Sequence, residues 1–340
     1  MSNSAELEHG DLTAALIAEG PGDTTGEPAR IRGGWCATGI DNSALLLDEA
    51  LQVVARFAPP DGVDLTGESD DEEIFRGHQS AVSGDGRWAA FAGFGHIAVV
   101  GVKGEIVWQT RHPHMRDAWF ETFPGAVVFP ADRDRLWAFV PVQGDNDEDD
   151  GAEHLERWVV DLAEDRVLSR INAGYFEPGL VIHSGGRILG SGSSDGHTQH
   201  GGWERWTDSD AEMIATVDAI PVDVHQDQNR WLAAEFGRPV IGRFDGGDLI
   251  RFYDVMDEDD PFQYGAGCFV SEHHVLVPRQ QQHEIEHALL DLGTLQVAGR
   301  MHYPAPFTAD QRGGVVGGQD GTWVTTGKGQ PLRRWRVTAR

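Results

Sequence analysis

Along this chain short runs of apolar residues alternate with Gly- and Asp-rich turns, and the runs are too short for helices. The clearest stretch is Ser80 to Thr110, SAVSGDGRWAAFAGFGHIAVVGVKGEIVWQT, where turns at Gly84-Asp85-Gly86 and Lys103-Gly104 divide strand-like segments. The pattern recurs. An apolar strand begins just after a tight turn at Trp35, Trp88, Leu136, Ile188, Trp231, Val275 and Trp323, a period of roughly 43 to 53 residues. The turns themselves read Gly33-Gly34, Asp85-Gly86, Asp132 to Arg135, Gly185-Gly186, Asp227 to Asn229, Glu272 to His274 and Asp320-Gly321. A second hairpin follows, visible as ALLLDEALQVVARF from Ala44, RWVVDLAEDRVLSRI from Arg157, WERWTDSDAEMIATV from Trp203, VIGRFDGGDLIRFYDV from Val240 and ALLDLGTLQVAGR from Ala288. Two hairpins predict one four-stranded antiparallel sheet per unit, and seven starts predict seven units.

A four-stranded sheet cannot bury both its faces alone, so sheets repeated at this period stack radially around a channel. In that layout the chain resembles the WD40-like propellers, from about Ala29 to Arg340. Trp108, Trp158, Trp206, Phe252 and Trp335 stand near that family's Trp-Asp position, although no copy contains the Trp-Asp dipeptide and no Gly-His pair recurs at a regular offset. The resemblance implies an all-β fold, a seven-bladed β-propeller of four-stranded antiparallel blades. Residues 29–340 would form its single domain and residues 1–28 a tail. The last unit supplies GGVVGGQDG, TWVTTGKG and QPLRRWRVT, one strand short of four. Leu12 to Ala18 is apolar and otherwise partnerless, so it is expected to close the ring as the missing outer strand; a short N-terminal helix is the alternative.

With 340 residues and 40% hydrophobic content the chain can bury a large core, and a repeat ring keeps it one domain. No apolar run approaches the roughly 18 to 20 residues that span a bilayer, and Met1 to Gly22 carries acids where an export signal is basic. Cys36 and Cys268 fall in different units and suggest no disulfide framework. A cytoplasmic protein with no membrane partner is the expectation. The formal net charge of −28 argues against binding a phosphate backbone, so no nucleic acid partner is expected. Lys103 and Lys328 are the only lysines; nearly all positive charge is arginine, whose planar fork favours specific carboxylate pairing.

Where the acids cluster says more than their number. The runs hold Glu68, Asp70, Asp71, Glu72 and Glu73, then Asp145, Asp147, Asp149 and Asp150, then Asp257, Glu258, Asp259 and Asp260. In a propeller the blade-to-blade loops share one face, here called upper, with the loops between the two middle strands, and all three runs fall in such loops. The opposite turns are short and Gly-rich. Other upper connections carry groups that folding does not require: Arg111, His112, His114, Arg116 and Trp119, then Tyr175 and Phe176, then His197 and His200, then His283 and Tyr303. Loops on a rigid scaffold are the usual place for recognition.

Two metal motifs present themselves. His283 to His287 matches H-E-x-x-H, which needs a helix; here it runs into Ala288-Leu289-Leu290-Asp291-Leu292, a strand, and histidines four apart on a strand stand roughly 13 Å apart. Asp145, Asp147, Asp149 and Glu156 reproduce calcium-loop positions, but Asp150 stands where the loop's sharp turn requires glycine, and strands flank it. A solvated acidic hairpin insertion is the reading, with weak calcium binding as the alternative; no other cofactor is expected. No G-x-S-x-G elbow, phosphate-cradling loop or dinucleotide fingerprint occurs. The expectation is a monomeric, non-enzymatic scaffold whose acidic upper face docks a protein with a basic surface. The competing readings are a metal-dependent hydrolase or lyase using some of His112, His114, His197, His200 and His283, and a carbohydrate- or peptide-binding module.

Overall fold

The computed structural model of the chain describes residues 10–65, 80–113, 125–130, 135–142, 154–174, 181–182, 188–194, 198–207, 210–235, 238–246, 249–251, 263–264, 267–281, 284–294, 296–305, 314–326 and 330–338. These hold strands and turns and no helix. After β1 (Gly10–Glu19) come seven sets of strands. Blade 1 is β2 (Thr24–Ile31), β3 (Gly34–Gly39), β4 (Ala44–Leu47) and β5 (Val53–Phe57). Blade 2 is β6 (Ser80–Val82), β7 (Trp88–Gly93), β8 (His96–Gly101) and β9 (Ile106–Arg111). Blade 3 is β10 (Ala126–Val128), β11 (Arg135–Val142), β12 (His154–Asp161) and β13 (Arg166–Gly174). Blade 4 is β14 (Val181–Ile182), β15 (Ile188–Ser194), β16 (Gln199–Trp206) and β17 (Ala211–Val217). Blade 5 is β18 (Ile220–Val224), β19 (Arg230–Glu235), β20 (Arg238–Arg243) and β21 (Ile250–Arg251). In blade 6 the inner strand is in two pieces, β22 (Gln263–Tyr264) and β23 (Cys268–Phe269), followed by β24 (His274–Gln281), β25 (Glu284–Asp291) and β26 (Gln296–His302). Blade 7 is β27 (Val315–Gly317), β28 (Thr322–Thr325) and β29 (Arg333–Thr338), completed by β1.

The first five blades are separate four-stranded sheets, whereas blades 6 and 7 form one nine-stranded sheet. Its cause is β1. The strand pairs antiparallel with β29 from Thr13 to Glu19, with a bulge between Leu16 and Ala18, and its first residues pair in parallel with β26, Gly10 opposite Gly299 and Thr13 opposite His302. The closing strand expected at Leu12 to Ala18 is therefore present and also ties the last blade to the one before it. Blade 1 begins at Thr24, so its inner strand runs across the boundary expected at residues 28 and 29; Thr24 and Thr25 pair with Gly39 and Thr38.

Closure of the ring is visible in the core. Seven hydrophobic clusters among the described residues fill the seven gaps between neighbouring blades. Trp35, Leu45 and Leu47 of blade 1 pack with Val324 and Leu332 of blade 7, the same kind of contact that Leu136 and Val160 of blade 3 make with Ala90 and Val99 of blade 2. Because each blade is sandwiched, its middle strands are apolar on both faces, as in the near-continuously buried β7 and β8. The outer strands face water on one side, and β26 shows the resulting alternation. Near the axis the inner strands crowd: a Cβ at Gly317 would stand 2.0 Å from the Phe269 carbonyl oxygen of the next blade. Trp158, Trp206 and Trp335 lie on third strands, as the Trp-Asp layout implies, but Trp108 lies on the outer strand of blade 2. Its third strand, β8, instead carries Val99 opposite that indole, small enough for Trp108 to fill the gap to blade 3. Phe252 lies outside the described residues.

Candidate functional site

The two faces of the disc are built differently, and the difference begins with short turns. On the lower face the Ser83–Arg87 turn closes with Trp88 carbonyl accepting from Ser83 N, while the Asp85 carboxylate accepts from Arg87 N (3.1 Å) and from Ser83 Oγ (2.8 Å). Gly86 supplies the left-handed residue, at φ 70°. The His225–Arg230 turn repeats the design. Asp227 accepts from Asn229 N (2.9 Å), Arg230 N (3.0 Å) and Arg230 Nε (2.7 Å). Burial pushes this carboxyl up, but those bonds and one from His225 outweigh it and hold the group well below the usual carboxylate range. Asp48, Asp161 and Asp291 cap the lower turns between third and outer strands in the same way, each accepting from two backbone N–H groups.

Larger polar groups lock neighbouring blades together. Arg334 of β29, almost wholly buried, pairs with Asp320 (2.8 Å) and with Glu49 of blade 1 (2.7 Å), and donates to Thr322 Oγ1 (3.1 Å). Between blades 3 and 4 the buried Arg157 pairs with Glu204 at 2.6 Å, and Trp206 Nε1 donates to the same carboxylate. Burial raises the Glu204 carboxyl against the opposing pull of Arg157. On the inner strand of blade 5, Asp223 accepts from Phe269 N of blade 6 and from Val224 N, both at 2.8 Å. Burial pushes its carboxyl up to about 7 despite those bonds. Gln319 of blade 7 donates to the Val224 carbonyl at 2.8 Å, so three inner strands are stitched at this end of the channel.

The upper face holds the longer connections. Residues 58–79 join β5 to β6, 143–153 join β11 to β12, and 252–262 join β21 to β22. The three acidic runs belong to these connections, and Glu68, Asp70, Asp71, Glu72, Glu73, Asp145, Asp147, Asp149, Asp257, Glu258, Asp259 and Asp260 lie outside the described residues. So do His114, Arg116, Trp119, Tyr175, Phe176, His197 and His283. Where an upper connection is short it follows the lower-face design: Asp41 accepts from Ser43 Oγ (2.6 Å) between β3 and β4. Short turns on either face therefore consume their own carboxylate.

Five of the singled-out residues are described. Arg111 is exposed at the end of β9, and the adjacent His112 is buried with Nδ1 2.8 Å from the Pro113 carbonyl. Glu156 is in β12, where its carboxylate accepts from Trp158 Nε1 at 2.7 Å. Tyr303 turns inward: its hydroxyl lies 2.5 Å from His287 Nδ1 and accepts from Trp323 Nε1 (3.0 Å) between blades 6 and 7. Burial pulls the His287 imidazole down to about 4, which favours the neutral ring in its bond to the tyrosine hydroxyl. Glu284–Asp291 is a strand, so Glu284 to His287 of the H-E-x-x-H pattern are not on the helix that the pattern needs. His200 is exposed at the start of β16, with Nδ1 3.8 Å from Asp218.

Beside His200 the upper face carries a feature that sequence reading did not reach. Thr216, Val217, Asp218 and Ala219 at the end of blade 4, with Glu235, Val240 and Leu249 of blade 5, line a cleft of roughly 190 Å³. Its walls come from separate strands, so no local spacing announces it. Among the described residues no group of three or more His, Cys, Asp or Glu side chains is arranged to hold a metal ion.

No protein-family model and no curated protein matches the sequence. Solved structures do match in fold. The C-terminal WD40 domain of Sif2 aligns over 96% of this chain and 99% of its own, with a TM-score of 0.53 and 10% identity. BamB from Moraxella catarrhalis aligns over 96% and 98%, with a TM-score of 0.50 and 9% identity. At that identity the likeness concerns architecture: the chain is a β-propeller of four-stranded antiparallel blades.

Proposed function

We propose that this propeller is a non-enzymatic, monomeric cytoplasmic scaffold that docks a protein with a basic surface on its upper face. What supports this reading is where the carboxylates fall along the chain. Those in short turns are engaged by their own backbone, as at Asp85, Asp227 and Asp291, whereas the three acidic runs belong to long connections whose length the ring does not need. Acidic loops on a rigid disc attract a basic partner over a distance and orient it before contact. Aromatic residues of the same connections, Trp119, Tyr175 and Phe176, then supply apolar anchors that lose water on docking.

Affinity capture from the source cell's lysate at low and moderate salt tests this, using the intact protein beside a variant with Glu68 to Glu73, Asp145 to Asp150 and Asp257 to Asp260 neutralised. A specific protein held by the intact form, released by salt and lost by the variant is the expected result. Partner retention unchanged by both neutralisation and salt would overturn the electrostatic reading.

A further inference from the structure

The cleft between blades 4 and 5 is small, lined at its base by Val217, Ala219 and Val240 and at its rim by the exposed carboxylate of Asp218. At roughly 190 Å³ it falls below the about 300–1,000 Å³ typical of small-molecule pockets and suits a single side chain. Val217, Ala219 and Val240 belong to the packed interface between the two blades, so the base is preformed. Leu249 extends it while remaining 41% exposed. At the rim the Asp218 side chain is 90% exposed, with His200 3.8 Å away, and Glu235 stands opposite Arg238 across its hairpin.

These features select the guest. A wholly apolar side chain would strip water from Asp218 without replacing it. An anionic one would meet the exposed Asp218 carboxylate on a chain of net charge −28. A long alkyl stem ending in a cation satisfies both base and rim. We propose that this cleft receives an arginine or lysine side chain of the partner, its stem on Val217, Val240 and Leu249 and its charge on Asp218. The assignment rests on the scaffold reading above and gives it a contact point.

Methyl-labelled protein titrated with a blocked pentapeptide bearing one central arginine, beside its norleucine counterpart, provides the test. The methyl resonances of Val217, Val240 and Leu249 are expected to shift saturably with the arginine peptide alone. Asp218→Asn should weaken that binding about fivefold, and Leu249→Ser should weaken it as well. Both positions are exposed, and an unchanged thermal midpoint will show that the fold is intact. Absence of saturable shifts at these methyls, equal shifts with norleucine, or indifference to Asp218→Asn would each overturn the proposal. If the cleft fails while lysate capture still depends on the acidic runs, the scaffold reading stands and the contact point is wrong. If the cleft binds arginine while capture finds no specific partner, the reverse holds.

Discussion

The lower and upper faces of this propeller are made from the same residue types put to different ends. Below, an aspartate follows the inner or third strand, accepts its own turn's N–H groups and disappears into the architecture, as Asp85, Asp161 and Asp291 do. Above, His200 and Asp218 meet across solvent at 3.8 Å beside an open cleft. The count of acids in such a chain therefore says little about binding. What matters is how many backbone donors lie within reach of each one, and short turns leave few carboxylates over.

The sharpest break of this contrast is expected at Arg334. Replacing it with alanine removes the guanidinium that bridges Asp320, Glu49 and Thr322 at once and should cost about 2–4 kcal/mol in urea unfolding. Next comes Asp223. Its folded carboxyl titrates near 7, above the about 3.9 of an unfolded aspartate, so the native state holds a proton that the unfolded chain releases. Stability from this group is full below about pH 4 and falls as pH rises toward 7, by an amount on the order of 2–4 kcal/mol. Asp223→Asn should flatten the decline in urea midpoint between about pH 4 and pH 7.

Asp227 has the opposite sign. Its depressed carboxyl stabilises the fold above about pH 4 and loses that contribution as pH drops further. Asp227→Ala should cost about 1–2 kcal/mol at pH 7 and weaken the acid-side loss of stability measured by circular dichroism. The smallest effect on folding is expected from neutralising the three upper-face runs, within about 0.5 kcal/mol of the parent by urea unfolding. A large loss there would mean those acids are structural after all, and the contrast between the faces would fail.

The blades were legible because second strands start at a turn residue followed by Trp or a branched apolar residue, and β3, β7, β15, β19 and β28 begin within one residue of the positions read from the sequence. The closing strand was legible because an apolar run without a partner had one vacancy to fill. Its parallel pairing with β26 was not, since four residues at Gly10 to Thr13 leave no periodic mark. Nor could spacing reveal that Arg157 meets Glu204, because neighbours across a blade interface share no register. Tyr303, read as an upper-loop aromatic, is instead drawn into the core because its hydroxyl finds Trp323 and His287 there.

β1 has a consequence for synthesis. This strand emerges from the ribosome ahead of every blade, yet its pairing partners in β26 and β29 are made last. Throughout translation it is an apolar edge with nothing to pair with, and the gap between blades 1 and 7 stays open until β29 is free. Vectorial folding can thus build the blades one after another, but the circle itself forms only as a late, long-range event.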